Sequence, residues 1–216
     1  MKQAGGGNVA FIETPMAAAI GAGLPVGNAV GCMVIDIGAG KTDAAIISLG
    51  DIVTGVSTRF AGDSFDAAII SYIRKNHNIL IDEMTAEDVK IKIGSAMPYD
   101  GEDKDSNKIK ITGRDITKGL PGSVPITPAE VREALSIPVS FVIDTITETL
   151  AKTPPKIISA LSESGITLVG GSSSLRGIDR LIAEQTGIKV NIPKNPAECV
   201  IKGIGIRMEM KMPKAY

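Results

Sequence analysis

Asp36 stands near the end of an apolar run, Gly31-Cys-Met-Val-Ile-Asp-Ile37, and a glycine-rich turn, Gly38-Ala-Gly-Lys-Thr-Asp43, follows at once. This order places a carboxylate and several backbone N–H groups at one strand end. Together they can hold a Mg²⁺ ion and a phosphate tail, so a nucleotide is the first ligand to consider. The turn is not a Walker A loop, because no helix follows Lys41-Thr42 and the spacing differs. A second turn, Gly170-Gly-Ser-Ser-Ser174, follows the apolar run Ile166–Val169 and precedes a helical pattern. A ligand is expected at the carboxyl end of that strand, facing the helix N-terminus. The two turns are far apart in sequence and are placed to face one ligand from two sides.

The flanking elements follow from periodicity and punctuation. Asn8–Ile12 reads as a short strand, followed by a small-residue helix with Thr14 as N-cap and Pro15 at its first position. Met33–Ile37, Ala44–Leu49 and Ile52–Arg59 read as strands, the last two joined by a tight turn. Gly62 opens a helix whose Phe65, Ala68, Ile69, Tyr72 and Ile73 recur at helical spacing. Thr85 with Asp88 has capping-box spacing, predicting a helix to about Ala96. Asp100–Asn107 is a charged loop that lacks EF-hand ligand spacing. Lys108–Gly113 and Ser123–Ile126 read as strands. Thr127-Pro-Ala-Glu130 predicts a capped helix to about Ala151, kinked near Pro138. Further helices are expected from Pro154, from Leu175 to Gln185 and from Pro196 to Met212, with a strand at Ile188–Ile192.

The chain has 216 residues, 44% hydrophobic and 22% charged, in the range of a globular protein of one large or two small domains. Aromatics are 3%, so the core must rest on aliphatic side chains. A net charge of −1 offers no field for nucleic acid or an anionic membrane, and no nucleic-acid partner is expected. Cys32 and Cys199 read as small buried hydrophobes. The one histidine, His77, reads as a residue at a helix C-terminus rather than a catalytic base. No apolar run reaches the ~20 residues of a membrane span, and the first residues carry no signal-peptide pattern. The expected location is cytoplasmic.

The ordered blocks resemble the MreB family of actin-like bacterial proteins, within the actin/Hsp70/sugar-kinase superfamily. They are Ile12-Glu-Thr-Pro-Met-Ala-Ala-Ala-Ile-Gly21, Val34-Ile-Asp-Ile-Gly-Ala-Gly40, Ile46–Gly50, Ala61-Gly-Asp63, Tyr72–Lys75, Lys90–Ala96, Gly113-Arg-Asp115, Lys152–Pro155, Leu168–Gly171 and Leu175-Arg-Gly177. The resemblance implies an α/β, actin-like (ribonuclease H-like) ATPase fold, second half only. That half is a mixed sheet with flanking helices plus a smaller inserted α/β subdomain. Residues 1–62 and 151–216 would form the nucleotide-binding core and 63–150 the insertion. The family's earlier half supplies the first phosphate loop, the opposite cleft wall and the membrane anchor, so membrane contact is not expected through this chain.

The resemblance also implies ATP and Mg²⁺ as ligands. Asp36 would hold the water shell of the metal, and Gly38, Ala39 and Gly40 would cradle phosphates. Glu87, Asp88, Val89 and Lys90 would lie against the nucleoside, and Ser172, Ser173, Ser174 and Leu175 would contact the nucleotide from the second turn. By spacing alone, Glu87–Lys90 is equally an ordinary charged helix start, and Gly170–Ser174 a plain strand–helix turn.

Three positions depart from the family. Thr14 replaces a Glu that positions the attacking water, Lys41 replaces a Thr near that water, and Ser172 replaces a Gly. Neutral Thr14 is a poorer acceptor than a carboxylate, and a protonated Lys41 accepts nothing, so weak or absent hydrolysis is expected. The implied function is an ATP-binding cytoskeletal protein that self-associates into filaments governing cell shape, with cell-shape or membrane-associated proteins as further partners. The alternatives are a sugar- or acid-kinase half and an Hsp70-type chaperone. The first needs a carboxylate base over a substrate cleft, and the second needs a peptide-binding domain.

Overall fold

The computed structural model describes residues 9–102 and 107–210. Its larger sheet contains β1 (Cys32–Ile37), β2 (Thr42–Ser48), β3 (Asp51–Thr58), β7 (Ile166–Val169) and β8 (Val190–Asn191), in the order β3-β2-β1-β7-β8. The smaller sheet has β4 (Ile79–Leu80), β5 (Ile109–Asp115) and β6 (Pro121–Ile126) in sequence order. The helices are α1 (Thr14–Gly21), α2 (Gly62–His77), α3 (Glu83–Ile93), α4 (Pro128–Ala151), α5 (Pro155–Ser164), α6 (Ile178–Thr186) and α7 (Cys199–Glu209). The larger sheet is mixed: β1 runs antiparallel to β2 and parallel to β7.

Every residue of β1 and β2 is buried, as central strands covered on both faces must be. Alternation divides the core. Met33, Ile35 and Ile37 pack with Phe65, Ile69 and Ile73 of α2 and with the inner face of α4. Cys32 and Val34 face the other way, onto Ala18 and Ala19 of α1 and Cys199 of α7. Each of the large side chains contributes about 2 kcal/mol by leaving water. Both cysteines are free and buried, as read from the sequence.

Several expected boundaries move. Residues 9–12 form no strand, and Phe11 is 92% exposed; an apolar run becomes a strand only where a neighbouring edge accepts its hydrogen bonds. Asn8 lies outside the described residues. Glu13, not Thr14, precedes the first turn of α1. The cap of α3 is Asp82, whose carboxylate accepts from the Thr85 N–H at 2.8 Å, so the helix starts earlier than the Thr85 reading and ends at Ile93. Thr85 and Asp88 are therefore interior to that helix, and no capping box forms between them. The expected Leu175 helix begins at Ile178, because Gly171–Ser174 winds into a 3₁₀ turn and Gly177 has a left-handed backbone. Pro196–Glu198 is likewise 3₁₀ before α7. β4 was too short to leave a periodic pattern. In the Asp100–Asn107 loop, residues 103–106 lie outside the described set, as do residues 211 and 212 of the expected last helix. Within that loop Glu102 pairs with Arg132 of α4.

By length and composition α4 could cross a membrane, which the sequence reading did not register. Its Val131, Leu135, Val139, Val142 and Ile146 are buried in the core cluster shared with the two sheets. The start of α4 is a complete capping box. Glu130 N–H donates to Thr127 Oγ1 at 3.2 Å, and Thr127 N–H donates to Glu130 Oε2 at 2.8 Å. The other Glu130 oxygen lies 2.7 Å from His77 Nε2 at the end of α2, so His77 is a half-buried tie between two helices. Burial raises the Glu130 pKa, but the Thr127 hydrogen bonds and His77 outweigh it, leaving the group below its ordinary value of 4.5.

Thr127→Ala is expected to lower stability by about 1 kcal/mol in denaturant titrations. A carboxyl held low stabilises the fold above its unfolded pKa and loses that contribution as pH falls through the folded value. The stability difference between the native chain and Glu130→Gln should therefore be largest near neutrality. It should shrink as pH drops below 4.5.

Candidate functional site

The two glycine turns meet. The Gly38 carbonyl accepts the Gly62 N–H at 3.1 Å and the Ser172 hydroxyl at 2.8 Å. The Ala39 carbonyl accepts the Asp63 N–H at 2.9 Å, and Gly38 N–H closes the first turn on the Lys41 carbonyl at 3.0 Å. Close approach makes glycine necessary at two points. A Cβ on Gly62 would lie 2.7 Å from Ser172 Oγ. At Gly170, with φ of +90°, it would lie 2.3 Å from the Ile37 carbonyl and 2.4 Å from Asp36 Oδ1.

Beside this junction is a cavity of 510 Å³, within the range of small-ligand sites. Gly38 and Ala39 line it from the first turn, Ser172, Ser174 and Leu175 from the second, and Glu87 and Lys90 from α3. These seven of the sequence-selected residues are thus brought together. The other selected residues lie off the cavity wall. Ser173 is buried and donates to the Gly170 carbonyl at 2.6 Å. Val89 is in the core, and Asp88 is a surface residue paired with Lys92 at 2.9 Å. Gly40, Asp36, Lys41 and Thr14 also lie outside the lining.

Sequence reasoning missed Asp63, Asp66, Glu83, Met84 and Arg176, all of which line the cavity. The acids of α2 had a signal, since they directly follow the Gly62 turn. Arg176 had none: its guanidinium sits 4.2 Å over the Tyr99 ring, a contact between distant segments. Asp66 Oδ2 pairs with Lys90 Nζ at 2.8 Å, and this mostly buried pair ties α2 to α3 along the cavity. Burial pushes the Asp66 carboxyl up, against the opposing pull of Lys90.

Asp36 lies opposite Asp43 in the β1–β2 ladder, and Asp43 lies opposite Ser57 in β2–β3. Ser57 Oγ donates to Asp43 Oδ1, and Lys41 Nζ stands 2.6 Å from Asp43 Oδ2. Burial raises the Asp36 pKa, the Asp43 charge raises it further, and Lys41 opposes both. No cluster of three or more His, Cys, Asp or Glu suited to a metal occurs among the described residues. Mg²⁺ does not require one, since it binds through one or two carboxylates, substrate phosphates and retained water. Asp36, beside the open backbone of Gly170, fits that donor set.

Comparisons with known proteins bear on the family and the fold. The family model described as MreB/Mbl protein matches residues 1–215. The cell shape-determining protein MreB of Escherichia coli (strain K12) is 45% identical over 207 residues, covering 96% of this chain and 58% of that protein. A crystal structure of MreB5 of Spiroplasma citri bound to ADP matches with TM-score 0.92 and 39% identity, over 97% of this chain and 62% of that one. A MamK double helical filament shares the fold, with TM-score 0.73, 20% identity and coverage of 93% and 59% respectively. The chain therefore spans about three-fifths of the length of the relatives it matches, and its fold is actin-like.

Ser172→Ala removes one donor from a carbonyl that keeps its Gly62 partner. A loss of about 1 kcal/mol in unfolding free energy is expected. Amide exchange at Gly62 and Asp63 should quicken, because the junction they belong to is loosened.

Proposed function

The chain belongs to the MreB/Mbl family, and from that premise we propose that it carries the second half of an ATP-binding, actin-like protein that self-associates into filaments governing cell shape. The observation that carries this reading is the junction of two glycine turns beside a cavity of 510 Å³. The ADP in the S. citri structure and the filament form of MamK support it as properties of those proteins.

In this reading the backbone of Gly38, Ala39 and Gly40 meets the phosphates, and Asp36 would hold water bound to any Mg²⁺ that accompanies the nucleotide, the metal supplying part of the charge neutralisation of the phosphate tail. Glu87 and Lys90 flank the nucleoside. Ser172, Ser174 and Leu175 close the other side, while Val89 and Ser173 support these contacts from beneath. Asp88 faces solvent beside Lys92 and serves the helix more than the ligand. Residues 1–62 and 151–216 form the nucleotide-binding core and 63–150 the inserted unit, a division supported by the two sheets. α2 and α4, which fall almost wholly within the inserted unit by these bounds, pack on the larger one. A cytoplasmic location and cell-shape or membrane-associated partners belong to the same reading.

The nucleotide acts here as a conformational switch more than as a substrate turned over. Thr14 starts α1 without a carboxylate, and the Lys41 ammonium is engaged by Asp43. Neither orients a water for attack.

Sedimentation with and without ATP tests the reading: the pelleted fraction should rise with ATP. Phosphate release should stay near background. The pair of changes Thr14→Glu and Lys41→Thr should raise release at least about tenfold if these positions limit the chemical step, with a smaller effect on ATP affinity. ATP-independent sedimentation together with phosphorylation of a small acceptor would replace this reading with a kinase.

A further inference from the structure

Asp36, Asp43 and Ser57 occupy one rung of the larger sheet, on β1, β2 and β3. Alternation puts Asp36 on the face of Cys32 and Val34, toward α1 and α7, away from the α2 face. Asp43 is 3% exposed, so its charge requires a partner. The Ser57 hydroxyl satisfies one oxygen. The other has no aligned hydrogen-bond donor among the described residues and is met only by the charge of Lys41. The Lys41 side chain is 55% exposed against 4% for Asp43, so the ammonium caps a buried anion from the solvent side.

Two adjacent carboxylates without Lys41 would make a doubly charged oxygen site. Affinity for a hard divalent cation rises with the number of such charges. A fixed ammonium cancels one of them and repels an incoming cation at short range. We propose that Lys41 is a built-in counter-cation that keeps this rung from becoming a strong divalent-metal site, so that the phosphate turn holds its nucleotide with little dependence on Mg²⁺. The metal part stands on the rung alone; the nucleotide part rests on the function proposed above.

The test uses the whole chain and Mn²⁺ as the probe, with free Mn²⁺ read by electron paramagnetic resonance in the absence of nucleotide. Lys41→Thr and Lys41→Met should each bind Mn²⁺ about tenfold more tightly than the native chain, from removal of one nearby unit charge. Adding Asp36→Asn to either should return the affinity to the native level. Circular dichroism and unfolding midpoints establish that each variant is folded, and the exposed position of Lys41 favours that. Equal Mn²⁺ affinity in the native chain and both variants overturns the proposal. So does a gain that survives Asp36→Asn, or one seen with Thr but not with Met, which would identify a hydroxyl ligand rather than a lost charge.

A second arm compares ATP affinity with Mg²⁺ and with EDTA. The ratio should be under about threefold in the native chain and about tenfold larger in Lys41→Thr, by the same charge argument. An unchanged ratio overturns the nucleotide part. No ATP binding in any arm, with the Mn²⁺ result intact, overturns the nucleotide reading and leaves the counter-cation in place.

Discussion

The Gly38 carbonyl is the point on which the site is built. It takes one hydrogen bond from the N-terminal turn of α2 and another from the second glycine turn, 134 residues further along the chain. A carbonyl has two acceptor positions, and here both are filled by protein. The first turn is thereby held by contacts within the protein, its Gly38 N–H on the Lys41 carbonyl and its Gly38 and Ala39 carbonyls on the start of α2. Gly170 is required because its positive-φ backbone lies against the Ile37 carbonyl and Asp36, and a side chain at Gly62 would press on the Ser172 hydroxyl.

The two sides of β1 do different work. Its odd-numbered residues anchor α2, and beyond their end the first turn opens onto the cavity. Its even-numbered residues face α1 and α7 and end in Asp36. Burial opposes charge on Asp36, the Asp43 carboxylate opposes it further, and only Lys41 favours it. Lys41 is the one neighbour that offsets the other two influences on Asp36, whose pKa stays raised. The identity of residue 41 therefore bears on the charge balance of this rung of the sheet.

What was legible in the sequence follows from how local the cause is. β1 and β2 are short buried runs, β3 and α2 are periodic, all have clear turns, and their boundaries fall within about two residues of expectation, the usual uncertainty of such ends. The Thr127–Glu130 cap is a four-residue pattern and was readable outright. Elements decided by distant partners were not. Residues 9–12 look like a strand but find no neighbouring edge, and β4 exists because β5 pairs with it. Asp82 competed with Thr85 for the cap of α3 and won, with the Thr85 N–H as its donor. In the site, the glycine turns and Asp36 were visible as strand-end motifs. The Asp66–Lys90 pair, the Arg176–Tyr99 contact and the engagement of Lys41 by Asp43 depend on side-chain reach, which spacing does not encode.

α2 connects these observations. Its first residue is bound to the Gly38 carbonyl, its second turn is tied to α3 through Asp66 and Lys90, and its last residue, His77, is tied to Glu130 at the cap of α4. Phe65, Ile69 and Ile73 seat its inner face in the core between the tied ends. A helix pinned at both ends and packed along its length has little freedom to shift. The turn it holds is correspondingly stiff, and a ligand entering the cavity need not supply the entropy of ordering that turn. The same rigidity limits adaptation. A change of charge at residue 41 cannot be absorbed by moving the loop, because Gly38 and Ala39 are fixed to Gly62 and Asp63 by backbone hydrogen bonds. The electrostatic consequence therefore falls on Asp36 and on whatever ions the site admits.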